Sequence, residues 1–402
     1  MKNRALLLPS TALAVALLTS TTYAEPYKMS VKQLNADEAA ILAKAPPGLK
    51  LTKDAIKTLD NKAVEAITIN GKNNPDNVKR VERIVDQKKW NYFFPMRKAS
   101  YTYLNFLKGV GQFPAFCHTY QDERKARSDE ICRKSLATMF AHFTQETGYH
   151  TPGAQYPQWR QGLFYLREIG WNEQSPNGYG ECSPDTWPGK AYPCGKNKDG
   201  SYKSYFGRGA KQLSWNYNYG LLSKLIFGDV TVLLNHPEKV ADTWLNLASA
   251  VFFFVTPQSP KPSMLHVVDG TWQPNAQDRE KGRTPGFGVT TQIINGAEEC
   301  KGTTESQESL DRISYYKSYA KELGVNIPGG EVLGCAGMSP FDESSSAALN
   351  VYWDKDWGWS PDTKTHEVYK CELVNYQGPY SALFKGDYRK CVEHNFDVVI
   401  TG

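Results

Sequence analysis

Two glutamates, Glu146 and Glu168, have the surroundings that acid–base chemistry needs. Glu146 ends a predicted helix, where the helix dipole disfavours negative charge and apolar neighbours disfavour it further. Both effects predict a raised pKa, which lets a general acid hold its proton near neutral pH. The adjacent Arg167 favours an ionised Glu168 if the two side chains point the same way. A protonated carboxyl with an ionised partner is the arrangement that hydrolyses glycosidic bonds.

Both glutamates also have a simpler interpretation. Glu146 would then be an exposed residue near a helix end, and Arg167 with Glu168 would be a solvated surface ion pair, which contributes little. The two residues by themselves leave this choice open.

Residues 205–220, with the sequence YFGRGAKQLSWNYNYG, alternate glycines, amides, a hydroxyl and aromatic rings with few aliphatic residues. Tyr and Trp faces stack on sugar rings, while Asn, Gln and Ser bind hydroxyl and acetamido groups. Glycines let the backbone approach a bulky ligand closely. The stretch predicts a wall of a polysaccharide cleft, and the alternative is a glycine-rich loop with packed tyrosines.

The first 24 residues predict export. Lys2 and Arg4 precede an apolar run over residues 5–18, and small residues lead to Ala24, the expected cleavage site of a signal peptide. A retained membrane anchor is the alternative, but the run is too short to span a bilayer. Removal of two basic residues lowers the net charge from +5 to +3. Such weak basicity argues against a nucleic-acid partner.

The even number of cysteines, eight, is typical of disulfides in an exported chain. If each cysteine pairs with its neighbour in the sequence, the disulfides join residues 117 to 132, 182 to 194, 300 to 335 and 371 to 391. Each such disulfide would stabilise the folded protein by about 2–4 kcal/mol. The sequence alone does not fix the connectivity. Zinc is the competing interpretation, but no Cys-x-x-Cys and no His-Glu-x-x-His occurs. We expect no metal and no cofactor. The eight residues are Cys117, Cys132, Cys182, Cys194, Cys300, Cys335, Cys371 and Cys391.

Hydrophobic periodicity predicts a mainly helical chain with long, structured loops. One helix runs from about residue 128 to Gly148, a second from about 241 to 254 before Pro257, and a third from about 309 to 323 before Gly324. The second is apolar nearly all round, which indicates buried core. These helices must position the two glutamates.

Composition divides the chain into four segments: the signal peptide 1–24, an extension or cap 25–90, an aromatic-rich catalytic domain 91–340, and a small Trp-rich extension 341–402. In the last segment Trp357 and Trp359 share a face if the backbone is extended. They predict either a sugar-stacking platform or the core of a small module closed by a disulfide, and the sequence favours neither.

Five separate motifs, at residues 139–148, 207–220, 256–263, 285–300 and 311–316, resemble those of the family 19 glycoside hydrolases in type and order. The resemblance spans about residues 98–340. It implies a lysozyme-like, two-lobed and mainly helical fold with a deep substrate cleft. It also implies a monomeric endo-chitinase that binds chitin or chito-oligosaccharides without stable membrane association. The loop from Gly170 to Tyr205 is longer than in compact members of the family and is expected to extend the cleft.

The resemblance also assigns roles to individual residues. Glu146 matches the general acid and Glu168 the general base of an inverting reaction, in which the two carboxyls stand about 6.5–9.5 Å apart. Ser214 and Asn218 match residues that hold the attacking water and the N-acetyl group, and Arg312 resembles an arginine that supports the base carboxylate. The remaining cleft residues implied are Gln212, Tyr217, Lys261 and Asn295.

The resemblance implies two of the disulfide pairings, Cys182 with Cys194 and Cys300 with Cys335. Two other functions stay open at this stage. One is a hydrolase that cleaves peptidoglycan, and the other is a chitin-binding protein without turnover.

Overall fold

The structure is a computed structural model that describes residues 25–402. The predicted signal peptide lies outside the described residues. Within residues 25–402 the chain forms seventeen α-helices and four short strands, so the prediction of a mainly helical protein is confirmed. In the same range no helix has both the length and the apolarity that a membrane crossing needs.

The helices are α1 Val31–Leu42, α2 Pro47–Ala55, α3 Asn61–Glu65, α4 Asp76–Ile84, α5 Gln87–Phe93, α6 Tyr103–Gln112, α7 Ser128–Thr147, α8 Trp187–Ala191, α9 Asn216–Phe227, α10 Thr231–Asn235, α11 Lys239–Asp242, α12 Leu245–Val255, α13 Met264–Val268, α14 Ala276–Glu280, α15 Phe287–Glu299, α16 Gln307–Leu323 and α17 Asp387–Asn395. The strands are β1 Tyr27–Ser30, β2 Tyr352–Lys355, β3 Cys371–Val374 and β4 Val398–Thr401. Two 3-10 helices lie at Lys125–Arg127 and Gln158–Arg160.

The three helices predicted from periodicity are present with small changes at their ends. Helix α7 begins at Ser128 with acidic residues in its first turn and ends before Gly148. Helix α16 begins after Ser306, whose hydroxyl caps it, and ends at Gly324 with φ +66°, the left-handed conformation that glycine tolerates best. The second predicted helix is divided, because extended backbone at Thr243 separates α11 from α12.

The main core forms around α7, which packs along α16, and around α12, which packs on α6. Every residue of α12 is buried, as its all-round apolar sequence predicts. Phe140 of α7 is fully buried and makes edge contacts with Trp90, Phe93 and Phe94. Full burial of one such side chain contributes about 1.5–3 kcal/mol. This core fixes the last turn of α7, where Glu146 lies.

A second, smaller core joins the two ends of the described chain. Strand β1 pairs in parallel with β4, in the register Tyr27 to Val398, and β2 pairs antiparallel with β3. Trp353, only 1% exposed, fills the centre beside the disulfide between Cys371 and Cys391. We call residues 25–49 and 349–402 the terminal module.

These contacts correct the predicted segment boundaries. The expected extension 25–90 is divided, since Val64, Val78 and Trp90 are fully buried in the main core while Met29 and Leu34 belong to the terminal module. Low aromatic content does not make a segment peripheral, because short amphipathic helices contribute to a core through aliphatic residues as well.

The expected separate extension 341–402 does not stand alone either, because β4 pairs with β1 from the other end of the chain. In this segment Trp357 and Trp359 are 78% and 67% exposed. They are therefore not the core of the module, and Trp353 takes that place.

The four disulfides of the structure follow the pairing of sequence neighbours. They join Cys117 to Cys132, Cys182 to Cys194, Cys300 to Cys335 and Cys371 to Cys391.

Candidate active site

Glu146 lies in the last turn of α7 with its side chain 17% exposed. Its Oε1 accepts a hydrogen bond from Nη2 of Arg312, a residue of α16, at 2.5 Å. The long contact between α7 and α16 sets this distance. The carboxyl is therefore held by a buried cation rather than free at an exposed helix end.

Arg312 itself is 1% exposed and is held by a second carboxylate. Its Nε and Nη2 donate to the two oxygens of Glu299, at 2.8 and 2.7 Å. Such a forked contact fixes the plane of the guanidinium. The implied support of the base carboxylate Glu168 by Arg312 is corrected here, because α16 packs along α7 and brings the guanidinium to Glu146 instead.

His142 completes the surroundings of Arg312. Its Nδ1 accepts from Arg312 Nη1 at 3.0 Å, and its Nε2 lies 2.9 Å from Oγ1 of Thr290. Burial, reinforced by the nearby cations, holds the pKa of His142 well below its usual value, so the imidazole is neutral. Arg312 can only donate hydrogen bonds, so Nδ1 of His142 must be the acceptor nitrogen. The single ring proton is therefore on Nε2, which donates a hydrogen bond to the Thr290 hydroxyl.

The expected rise in the pKa of Glu146 is wrong in sign. Burial alone raises the pKa of this carboxyl, but the cations of Arg312 and Lys211, with His150, outweigh burial and hold the pKa below its usual value. The helix dipole and the apolar neighbours of Glu146 are local features, whereas Arg312 and Lys211 come from distant segments of the chain.

Lys211 is the cation that the sequence analysis did not assign to the site. It lines a small apolar cavity together with Glu146 and Phe253, and its Nζ lies 4.4 Å from the centre of the Phe253 ring. Burial lowers the pKa of Lys211, while the charge of Glu146 opposes that change. The ammonium thus acts on Glu146 through space, in surroundings with little water.

Glu168 is held by neutral donors. Its Oε1 accepts from the Tyr179 hydroxyl at 2.5 Å, and its Oε2 accepts from the backbone N–H of Gly207 at 2.8 Å. The hydrogen bond to Glu168, together with burial, raises the pKa of Tyr179 to about 12, so the phenol remains a donor.

Arg167 does not assist Glu168. Its guanidinium pairs with Glu173 and Asp242, each at 2.7 Å. The backbone at Arg167 forms a β-bridge with Arg208, and neighbouring side chains of extended backbone point to opposite sides. The condition attached to the sequence prediction is therefore not met.

Gly207 lies where a side chain would displace the carboxylate. A Cβ at this position would stand 3.2 Å from Glu168 Oε2 and 2.8 Å from Gln212 Oε1. The residue is therefore glycine because the backbone must come within hydrogen-bond distance of Glu168.

Residues 205–220 divide between core and cleft. Tyr205, Phe206 and Tyr219 are fully buried, so part of the stretch fills a core, as the alternative with packed tyrosines predicts. Arg208 and Leu213 pair across a tight turn whose residue Gln212 has φ +54°. This turn places Gln212 beside Gly207, whose N–H binds Glu168.

The predicted cleft residues fall in two groups. Near Glu168, Gln212 donates to the Gly209 carbonyl at 3.0 Å, Ser214 donates to the Gln212 carbonyl at 3.2 Å, and Asn218 donates to the Ser214 carbonyl at 2.8 Å. Tyr217, in the same helical turn as Asn218, stacks on Trp215 at 6.0 Å.

The other group lies near Glu146. Asn295 donates to Glu299 Oε1 at 2.8 Å and so joins the network around Arg312. Lys261 donates to the carbonyl of Ile293 at 3.1 Å. Burial, reinforced by Lys211, lowers the pKa of Lys261. Asn295 interrupts α15 with φ −148°, which turns its amide away from the regular helix path.

Sequence reasoning missed four residues of the site: His142, Tyr179, Lys211 and Glu299. His142, Lys211 and Glu299 lie within three of the five motifs, so a count of ionisable residues in those motifs could have found them. Tyr179 lies outside all five motifs, in the long loop after Glu168, and carries no such signal. Among residues 25–402 no group of three or more His, Cys, Asp or Glu side chains is placed to hold a metal ion.

Comparison with known proteins adds to this geometry. Residues 61–335 match a family model described as class I chitinase. Endochitinase 1 of Gossypium hirsutum is 40% identical over 253 residues, which cover 61% of this chain and 68% of that relative. Endochitinase CH25 of Brassica napus is 39% identical over 258 residues, covering 63% of this chain and 69% of that relative.

Among solved structures, chitinase C from Streptomyces griseus HUT6037 matches with a TM-score of 0.43 and 24% identity, covering 63% of this chain and 80% of that chain. The family match to residues 61–335 includes Glu146 and Glu168 and leaves the terminal module outside it.

Proposed function

The chain belongs to the class I chitinases, family 19 of the glycoside hydrolases, and on that premise we propose that it is an exported enzyme that cleaves chitin within the polymer and inverts the anomeric carbon. It is a glycoside hydrolase, and its mainly helical architecture agrees with the lysozyme-like fold of that family. The substrate is chitin or its soluble oligosaccharides, chains of β-1,4-linked N-acetylglucosamine.

The observation that carries the proposed mechanism is that the two carboxylates are held in different ways. Glu146 accepts a hydrogen bond from the buried guanidinium of Arg312, which also pairs with Glu299. Glu168 instead accepts hydrogen bonds from a phenol and a backbone amide. Two carboxyls in different environments can hold different protonation states at the same pH. An acid and a base on opposite sides of a sugar need this difference. Because Arg312 favours the ionised form of Glu146 in the free enzyme, the acid gains its proton when bound sugar desolvates the carboxyl.

In the proposed reaction Glu146 gives its proton to the glycosidic oxygen as the bond from that oxygen to C1 breaks. The departing sugar keeps the bonding electron pair. A water molecule attacks C1 from the opposite face and transfers a proton to Glu168. The product is inverted, exchange with solvent returns Glu168 to its ionised form, and Glu146 takes up a proton for the next turnover when the next sugar chain displaces water from it.

Ser214, Asn218 and Gln212 are proposed to position this water and the N-acetyl group. Support comes from their place on the turn beside Gly207, whose N–H holds Glu168. Ser214 is not a nucleophile in this proposal, because its hydroxyl donates to a backbone carbonyl rather than to a base.

The lowered pKa of Glu146 determines the pH range in which we expect the enzyme to be active. The free enzyme holds an ionised Glu146 at neutral pH, so the reactive, protonated form is favoured by acidic solution. Sugar bound against Glu146 removes water from the carboxyl, and this desolvation raises its pKa. We therefore expect activity to be greatest below neutral pH.

Export and assembly complete the proposal. The four disulfides support an oxidising compartment, and residues 1–24 have the pattern of a signal peptide. We infer that the mature enzyme begins at Glu25 and acts as a monomer without stable membrane association. The mass of the intact secreted protein tests the cleavage site, and light scattering tests the monomer.

The experiment that tests the mechanism is proton NMR of the product anomer in the first minutes of hydrolysis of a chitin hexamer. Initial α-anomer is expected, with no product from the Glu146→Gln variant. Initial β-anomer would mean retention and would overturn the role of Glu168. No cleavage of the hexamer, with cleavage of peptidoglycan instead, would replace the proposed substrate. Binding of the hexamer without cleavage of either polymer would indicate a chitin-binding protein.

A further inference from the structure

A groove of about 110 Å³ runs between the terminal module and the rest of the described chain, which we call the main body. Trp187 and Tyr217 of the main body line it, and Tyr352, Gln377 and Phe384 of the terminal module line it on the other side. Residues 352–384 lie outside the segment that matches the family model.

The groove shares two residues, Tyr217 and Asn218, with the proposed substrate-binding set. Asn218, which lines it, donates to the carbonyl of Ser214 at 2.8 Å, on the turn beside Glu168. Tyr217 stacks on Trp215 with ring planes 13° apart, and the ring of Trp187 lies 6.0 Å from that of Tyr217. A sugar chain that leaves the cleft past Tyr217 therefore meets a series of aromatic rings.

Polar atoms in the groove have unused hydrogen-bonding capacity. Thr256 lines the groove and is 4% exposed, and its Oγ1 has no partner among the described residues. The Nε2 of Gln258, also in the lining, is buried and likewise has no partner within residues 25–402. Buried polar atoms are normally satisfied, and exceptions require an explanation. A hydroxyl and an amide match the hydroxyl and acetamido groups of an amino-sugar chain.

The wall that the terminal module contributes is fixed in place. Lys224 of α9 pairs with Asp387 at 2.7 Å, and Asp387 is 1% exposed. The Ser259 hydroxyl accepts from the N–H of Leu349 at 2.9 Å and donates to its carbonyl at 3.1 Å. Ser381 donates to the Val351 carbonyl at 2.8 Å and so orders the strand that carries Tyr352. The groove is therefore preformed, which lowers the entropic cost of binding.

We propose that the terminal module forms an outer wall of the substrate cleft, and that the groove binds N-acetylglucosamine units of a chitin chain beyond those held at Glu146 and Glu168. Aromatic rings from both sides stack on the sugars, while Thr256 and Gln258 bind their polar groups. The inference rests on the proposed function and adds to it a preference for longer chains.

The test is the ratio of kcat/KM for the chitin hexamer to kcat/KM for the tetramer, in the full chain with Tyr352→Ala or Gln377→Ala. One lost contact to a sugar is expected to lower the hexamer value about 2- to 10-fold, with the tetramer value unchanged. Gln377 is exposed, so its variant keeps the test valid if Tyr352→Ala unfolds the module. Arg389→Ala is the control, an exposed residue of the same module that does not line the groove, and it is expected to change neither value.

Two results would overturn the inference. If Gln377→Ala and a folded Tyr352→Ala both keep the wild-type ratio, the groove binds no sugar. If the variants lower kcat/KM for the hexamer and for the tetramer by the same factor, the terminal module has only a structural role. The wild-type enzyme separates these results from failure of the proposed function, because a protein that cleaves neither oligosaccharide is not a chitinase and the inference falls with that proposal.

Discussion

Arg312 joins Glu146 to Glu299, with its Nη2 2.5 Å from Oε1 of Glu146 and 2.7 Å from Oε1 of Glu299. One buried guanidinium thus lies between two carboxylates from α7 and α15. The guanidinium lowers the pKa of Glu146 and at the same time pairs with the carboxylate of Glu299. The position and the protonation of the proposed acid depend on the same contact.

Glu146→Gln is expected to lower kcat on the chitin hexamer by about 10²–10⁴-fold, because the amide cannot donate the proton that general acid catalysis supplies. Binding of the hexamer, measured by calorimetry, should be retained. The control is Glu130→Gln on the same helix, where Glu130 is 61% exposed and pairs only with Arg127 at 3.0 Å. Full activity of Glu146→Gln would remove Glu146 from the mechanism.

Arg312→Ala is expected to destabilise the protein by about 3–5 kcal/mol, since it leaves buried carboxylates without their cation. Urea unfolding followed by tryptophan fluorescence measures this loss. Arg389→Ala breaks an exposed pair with Glu393, 48% and 43% exposed, and should cost about 1 kcal/mol or less. Equal effects of the two substitutions would mean that the buried network contributes no more than a surface ion pair.

Lys211→Met tests the charge that acts on Glu146. The cation lowers the pKa of Glu146, so its removal raises that pKa. The alkaline limb of kcat/KM, which follows loss of the Glu146 proton, should therefore move to higher pH. Lys211→Arg keeps the charge and should keep the limb in place. A Lys211→Met profile identical to that of the wild type would show that Glu146 does not control the alkaline limb or does not sense Lys211.

Gly207→Ala is expected to reduce kcat while the fold is kept. The new methyl would stand 2.8 Å from Gln212 and 3.2 Å from Glu168, so both side chains must shift away from the hydrogen bond at the Gly207 N–H. Circular dichroism and the thermal midpoint check folding, and steady-state kinetics measure the loss. Gly329→Ala, where a Cβ meets no atom within 4 Å, is the control. Unchanged kcat in Gly207→Ala would mean that this contact does not position Glu168.

The amino-acid sequence by itself determined the local features of this protein. Helical period and terminal residues placed α7 and α16 to within about two residues, because these signals depend on neighbours three or four positions apart. The five motifs identified the family, and neighbour pairing gave the disulfides, each of which closes a short loop.

Only the tertiary structure decided which groups surround each carboxylate. Arg312 lies 166 residues from Glu146 along the chain, and the helix packing, not the spacing, brings it there instead of to Glu168. The sign of the Glu146 pKa shift follows from that contact and from Lys211. The pairing of the two ends of the described residues, Tyr27 with Val398, also depends on a long-range contact. Electrostatics and sheet pairing act through space, and distance along the chain does not specify them.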